Sequence, residues 1–435
     1  MRIVVRAQDA RLAREAQTLL AGARVEAAAL PGPYRDAPDG EDISIFAAQA
    51  GDVEDVARLA ATSLRAEQQP MARLVGLKST APPALGLGPA EIFTGAIALD
   101  APAALLQAQV DAFLRVAIAE EERKRRAATA ATLGLAAPQA LEPRKLKALY
   151  IGAPSTMFLA LERVLADQGG LVAAAFSSYA GFDHLHDDLF DAVVLNGAQD
   201  AQTAVSLCAA LRRNASLYHL PTMVVTKPGD AGTGDAAIAR GASAVAEVNA
   251  PCGASLGWLF EAVRRERRRR AAEHDIRAYR DIMGDARTGL FRREPFDAHL
   301  THLVSDHHGS GRSLSLAVLR VMPAHGARQP AEDVWRKGFT EIASLAARLM
   351  RDADSGAAFG QDLIVIALPA ATLRSAKRTA ERIAAVAECT AFASGEGGAG
   401  PLVFEQSAVE LQPGESAGGM LARALRVLDV ESIPA

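Results

Sequence analysis

The sequence predicts an α/β protein in three parts: two tandem doubly wound parallel sheets, each of the (βα)5 kind, then a separate α+β domain. Three observations carry that prediction. Short apolar runs alternate with helical stretches roughly every 20–25 residues, the pattern of right-handed βαβ units. The alternation occurs twice, over units of about 125 residues, which is a repeat of fold rather than of close sequence. After a long charged helix the last 150 residues change character, with the strands "LSLAVLRVMP" and "DLIVIALP" separated by a helix, as in a separate α+β domain.

The first unit (1–125) opens with the strand "RIVV", a helix over 11–23 and a second β run near "RVEAAAL". "DISIFAAQ" is a continuous apolar strand, "DVEDVARLAATSL" a helix, and "ARLVGLKS" and "EIFTGAIAL" are strands before the helix "APAALLQAQVDAFLRVAIAEEERKRR". The weakly patterned stretch "AATAATLGLAAPQALEPR" reads as a linker. In the second unit (145–265) the strands are "KLKALYIG", "LVAAAFSS", "FDAVVLNG", "LPTMVVTKP" and "SAVAEVNAP". "FDAVVLNG" is apolar on both faces, as a strand covered on both sides must be. The helix "SLGWLFEAVRRERRRRAAEHDIRAYRDIM" leads to the third part (280–435), where "LSLAVLRVMP", "DLIVIALP", "CTAFASGEG" and "LVFEQSAVEL" read as strands. Its helices are "EDVWRKGFTEIASLAARLMRD" and "ATLRSAKRTAERIAAVAEC".

Composition bounds the function. The chain has 435 residues, half of them hydrophobic, with a net charge of −4, so the whole molecule is no electrostatic nucleic-acid binder. The basic run Arg264–Arg270 has no interleaved aromatics for base stacking and reads as the solvated face of a connecting helix. Three widely separated cysteines fit neither a disulfide framework nor a zinc site, and suit a reducing cytoplasm. No run of about 18 apolar residues exists, so no membrane span is expected.

Each of the first two units resembles a response-regulator receiver domain. Such a domain needs an acidic pair after the first strand for Mg²⁺ and a phosphoacceptor Asp at the end of the third. It also needs a Ser/Thr after the fourth strand and a Lys after the fifth. In the first unit the acidic pair falls at Ala7 and Gln8, with Asp9 nearby, and the acceptor at Ala47; the fifth strand ends without Lys. In the second the pair falls at Gly152 and Ala153, the acceptor at Asn196 and the Lys at Ala250, while Thr226 is kept. Neither unit is expected to be phosphorylated in the usual way. They would instead be docking or homodimerisation surfaces.

"DARTGLFRREPFDAHL" (285–300) resembles the opening of a diguanylate cyclase (GGDEF) domain, matching D-x-L-T-G-L-x-N-R at Asp285, Thr288, Gly289, Leu290, Phe291 and Arg293, with Arg292 in place of Asn. Two receiver-like units before such a domain is the arrangement of PleD-type response regulators. The family's G-G-D/E-E-F hairpin reads Gly360, Gln361, Asp362, Leu363 and Ile364 here. Joining two GTP needs two Mg²⁺ held by carboxylates on the first strand and the hairpin. The first-strand position is Arg320, opposite in charge, and the second hairpin acid is Leu363. The Asn and Asp that hold guanine are absent from "MPAHGARQP". The expectation is a degenerate, inactive domain with no Mg²⁺ and no cofactor; weak GTP binding stays open.

Many cyclases carry an inhibitory R-x-x-D site five residues before the hairpin. "RDAD" (351–354) holds that spacing, with "SGAAF" between it and Gly360. R-x-x-D also occurs at 6–9 and 426–429, without that spacing. A further Arg in an A-E-R-I context on the next helix is supplied by Arg382. An Arg guanidinium bonds guanine O6 and N7 and stacks on purines. An Asp carboxylate accepts from guanine N1–H and the exocyclic amine. Arg351, Asp354 and Arg382 are therefore the expected cyclic di-GMP ligands. The resemblance to the degenerate PleD-type regulators implies a cytoplasmic effector at a cell pole that recruits a cell-cycle regulator for ClpXP proteolysis. A residual cyclase and a nucleotide-independent polar scaffold are the alternatives.

Overall fold

The protein is described by a computed structural model covering residues 2–30, 42–49, 60, 70–78, 92–142, 144–250, 252–327, 330–394 and 401–428. It has the three expected sheets. The first joins β1 (Ile3–Arg6), β2 (Ala27–Ala29), β3 (Ile43–Ala48), β4 (Ala72–Leu77) and β5 (Gly95–Ala98), all parallel, in the order β2-β1-β3-β4-β5. The second joins β6 (Lys147–Ile151), β7 (Leu171–Ala175), β8 (Ala192–Asn196), β9 (Thr222–Thr226) and β10 (Ala244–Glu247), again parallel and in the equivalent order β7-β6-β8-β9-β10. Order 2-1-3-4-5 is the flavodoxin- and CheY-like doubly wound arrangement, with a switch point at the carboxyl ends of the first and third strands. The helix expected over 52–64 lies outside the described residues, Ala60 aside.

Periodicity explains the layers. On one face of the first sheet Ile3, Val5, Ile43, Ile45 and Leu74 pack against α1 (Ala10–Gly22) and α2 (Ala103–Thr132). In the second sheet alternate residues face opposite cores. Tyr150, Val194 and Val225 meet α3 (Thr156–Asp167) and α7 (Cys252–Met283). Leu149, Val193 and Val224 meet α4 (Ser178–Asp187), α5 (Ala201–Arg213) and α6 (Ala231–Ala239). Successive side chains of a doubly covered strand are thereby all removed from water, alternating between the two cores, about 1.5–3 kcal/mol for each Val, Leu or Ile.

The third sheet is antiparallel, in the order β12-β13-β11-β14, from β11 (Leu314–Pro323), β12 (Ser355–Phe359), β13 (Leu363–Pro369) and β14 (Leu402–Glu410). Leu316 and Val318 face α8 (Arg293–Ser310) and α12 (Ala417–Arg426). Leu319 and Val321 face α9 (Glu332–Leu349) and α10 (Leu373–Glu388).

Two compact units result: 1–117 with 141–271, and 118–140 with 272–435. Three expectations change. The expected linker begins as helix, since α2 continues to Thr132 and stops near Gly134, whose φ of +66° suits glycine. Its last turns, with 133–140, belong to the C-terminal unit rather than to the first domain or a linker. "CTAFASGEG" is not a strand over its described part: Ala391–Ser394 forms a short helix, α11, with Phe392 and Ala393 buried against the α9–α10 layer. The basic run is not a solvated face either. Arg267 bonds Asp191 at 3.0 and 2.8 Å, and Arg269 and Arg270 bond Glu266.

Candidate functional site

The turn 351–354 joins the end of α9 to β12. It closes on itself: the Asp354 amide donates to the Arg351 carbonyl at 3.0 Å, and the Arg351 amide donates to Asp354 Oδ2 at 2.9 Å. Asp354 is buried at 6% exposure, while Arg351 is exposed. Oδ1 of Asp354 has no hydrogen bond among the described residues. Burial raises the Asp354 carboxyl to about 6, and the Arg351 amide, Arg351 charge and Arg126 offset only part of that.

Arg382 arrives from α10. That helix buries Ala376, Ala380, Ile383, Ala384 and Ala387, a helical stripe that leaves Arg382 on the outer face. Its Nη2 donates at 2.9 Å to the carbonyl of Leu349, one of the carbonyls left over at the end of α9. Arg382 is thus anchored two residues before Arg351. All three predicted residues meet at one loop. Sequence reasoning missed two neighbours, Arg374 and Arg378, which are exposed on α10 at i and i+4 before Arg382. The spacing of four was legible as one basic stripe.

The loop is held from behind by side chains no motif indicated. Arg126, 1% exposed on α2, donates through Nη2 to the carbonyls of Asp352 and Asp354 at 2.9 and 3.0 Å, through Nη1 to Ile276 at 2.8 Å, and through Nε to Glu122 at 2.7 Å. Its guanidinium lies 5.2 Å from the centre of the Phe291 ring. Glu122 is fully buried, with His299 Nε2 at 3.1 Å. Burial opposes its charge, but His299, Arg126 and Arg125 outweigh that and hold the carboxyl at about 2. Burial keeps His299 below its ordinary range, so near neutral pH the arginines carry most of the offset. On the other side Arg277 of α7 bonds Asp352 at 2.9 Å.

The hairpin positions lie between β12 and β13. Gly360, at φ +66°, opens the three-residue loop Gly360–Gln361–Asp362 between paired Phe359 and Leu363. The Gln361 carbonyl accepts from the Trp335 indole at 2.8 Å. Arg320 on β11 lies opposite Leu363, 3.6 Å from Asp362 and 3.7 Å from Glu405. A guanidinium is thus paired with Asp362, which the resemblance makes a candidate ligand for a divalent metal. Among the described residues no group of three His, Cys, Asp or Glu side chains is placed to hold one.

At the receiver-type sites the geometry is likewise neutral. Ala47 is fully buried in β3. Asn196 ends β8, donates to the Ala153 carbonyl at 2.8 Å and accepts from the Ala198 amide at 3.1 Å. Gly152, at φ +122°, lets it approach, since a Cβ there would lie 2.9 Å from the Asn196 Cβ. The Asn196 side-chain amide is thus satisfied by backbone groups at the carboxyl end of β8.

No protein-family model matches the chain, and no curated protein does. Solved structures similar to parts of it include the GGDEF domain of DgcB from Caulobacter crescentus in complex with c-di-GMP (21% identity, 34% of this chain and 85% of that one, TM-score 0.28). Another is a response regulator from Chloroflexus aurantiacus (20% identity, 28% and 98%, TM-score 0.26). A third is a response regulator receiver domain protein from Clostridium thermocellum (19% identity, 28% and 97%, TM-score 0.25). No helix of the described residues is long and apolar enough to cross a membrane.

Proposed function

We propose that the chain is a catalytically silent cyclic di-GMP receptor of the degenerate PleD type, most similar in arrangement to PopA. The observation that carries this reading is the pairing of a closed Arg351–Asp354 loop with a hairpin acid that faces a guanidinium. Arg351, Asp354 and Arg382 gather at the end of α9, while Arg320 neutralises Asp362. The exposed guanidiniums of Arg351 and Arg382, with Arg374 and Arg378 alongside, suit a guanine dinucleotide carrying two phosphates. The free Oδ1 of Asp354 is the acceptor for guanine N1–H.

Titration calorimetry of cyclic di-GMP into the wild type and Arg351→Ala, with GTP as control, tests the reading. Micromolar binding to the wild type, lost in the variant and absent with GTP, is expected. A wild type that binds no cyclic di-GMP refutes it and leaves a scaffold. Incubation with GTP and Mg²⁺ is expected to yield no cyclic di-GMP; any product restores the cyclase reading.

The resemblance to PopA also supports recruitment of protein partners at a cell pole, homodimerisation through the receiver-like units, and delivery of a cell-cycle regulator to ClpXP. In a reconstituted ClpXP reaction the regulator's degradation is expected to depend on both the chain and cyclic di-GMP; degradation that ignores either one removes the adaptor role.

A further inference from the structure

The cyclic di-GMP reading leaves one feature of the receiver-like unit unused. A cleft of about 460 Å³ opens there, within the size range of small-molecule sites. Ala108, Ala112 and Val116 of α2 and Ile238 of α6 give it apolar walls, and Tyr218 and His219, with ring centres 3.5 Å apart, line another side.

Its charges are one-sided: four arginines, 115, 212, 265 and 269, line it against a single carboxylate, Glu266. That carboxylate is already engaged by Arg269, at 2.9 and 2.8 Å, and by Arg270 at 2.8 Å. Arg212 spends Nε and Nη1 on the carbonyls of Gly241, Tyr218 and Leu220. Arg115 and Arg265 remain. Neither makes a hydrogen bond or ion pair among the described residues. Arg265 lies with its guanidinium carbon 4.9 Å from the centre of the Phe113 ring. A ring contact satisfies the cation's face but none of its N–H donors, which point in the guanidinium plane.

Arg265 is the costly member of this cluster, since the Glu261 and Glu266 carboxylates offset its burial only in part and the Arg115 charge adds to the cost, while Arg115 itself reaches solvent. Burial pushes the Arg265 guanidinium down to about 10. Burial, then the nearby Arg269 charge, takes the His219 imidazole down to about 4, so His219 is neutral and can donate without adding charge. Guanidinium pairs match phosphate oxygens bidentately.

We propose that this cleft binds a small phosphate-bearing anion, with Arg115 and Arg265 as its charge-assisted donors. The phosphate could belong to an inorganic polyanion or to a nucleotide whose planar body lies along the apolar wall and the Tyr218–His219 pair. The site is independent of the Arg351 loop.

The test is calorimetric titration of pyrophosphate and 5′-AMP into the full chain at constant ionic strength. Binding of at least one probe to the wild type is expected, at least tenfold weaker in Arg115→Gln and in Arg265→Gln, and unchanged in Arg351→Ala. Tighter binding of 5′-AMP than of pyrophosphate assigns the cleft to a nucleotide, and the reverse to an inorganic anion. No binding of either probe, or equal affinities in the wild type and Arg115→Gln, overturns the proposal. Arg115 is exposed, so its variant keeps the test open even where Arg265→Gln fails to fold.

Discussion

Asp354 is a carboxyl group that the fold holds between its two charge states. Its raised value, about 6 against an ordinary 3.8, comes first from burial. Because the folded pKa lies above the unfolded one, the stabilisation is complete below about pH 4 and is lost as pH rises through 6. Asp354→Asn keeps an acceptor for the Arg351 amide but removes the titration. Denaturant unfolding at pH 4.5 and 7 is therefore expected to show the wild type losing on the order of 2 kcal/mol more than the variant across that interval. Equal losses would mean that Asp354 does not titrate there. Ligand binding has the opposite sign. Guanine N1–H needs the ionised carboxylate, so cyclic di-GMP affinity should fall by up to about tenfold per unit below pH 6. The neighbouring charges are Arg351, Arg126 and Glu122; Asp354 lies at about 6, inside that window, and the Glu122 carboxyl at about 2, outside it. Calorimetry from pH 5 to 8 checks this, and a flat profile would place the carboxylate outside the contact.

At the scale of elements, the legible parts were those governed by local pattern. The parallel strands, the β11–β13 pair and α10 announce themselves by period. The spacing between Arg351 and the hairpin is likewise local, and so is the Arg382 offset. The end of α2 was different. "EEERKRR" has the composition of a surface, and the Ala-rich run after it resembles a linker. What buries Glu122 and Arg126 is His299, 177 residues on from Glu122, and the carbonyls of Asp352 and Asp354, more than 220 on from Arg126. No window of sequence contains those partners. "CTAFASGEG" failed for a related reason, since the apolar residues Phe392 and Ala393 suit a buried turn of helix as well as a strand. Arg126→Ala is expected to destabilise the C-terminal unit by about 3–5 kcal/mol, because it leaves Glu122 buried with less compensation and frees three carbonyls. The same variant should weaken cyclic di-GMP binding by loosening the loop. Thermal unfolding and calorimetry read the two effects separately, and a stability change under about 1 kcal/mol would show that water replaces the guanidinium.

At the scale of the whole molecule, the loop is tied to two long helices within the C-terminal unit. α2 and α7 each begin in the receiver-like unit and end in the C-terminal unit. Both touch the loop directly: Arg126 of α2 binds its carbonyls, and Arg277 of α7 binds the Asp352 carboxylate. A ligand seated on Arg351 and Arg382 thus acts on a turn whose other side is fixed to two helices rather than on a free surface. It can shift the helices only by its differential affinity for their arrangements. A change from one-in-a-hundred to ninety-nine-in-a-hundred would need about 5.5 kcal/mol of that difference, so a partial shift is the physical expectation. Hydrogen exchange on the full chain, with and without saturating cyclic di-GMP, should therefore show added protection at the loop and also at 118–132 and 272–283. Arg277→Ala should keep the protection at the loop and lose it over 272–283. Protection confined to 351–354 in the wild type would mean that binding stops at the loop and that any output must be read from the ligand-covered surface itself.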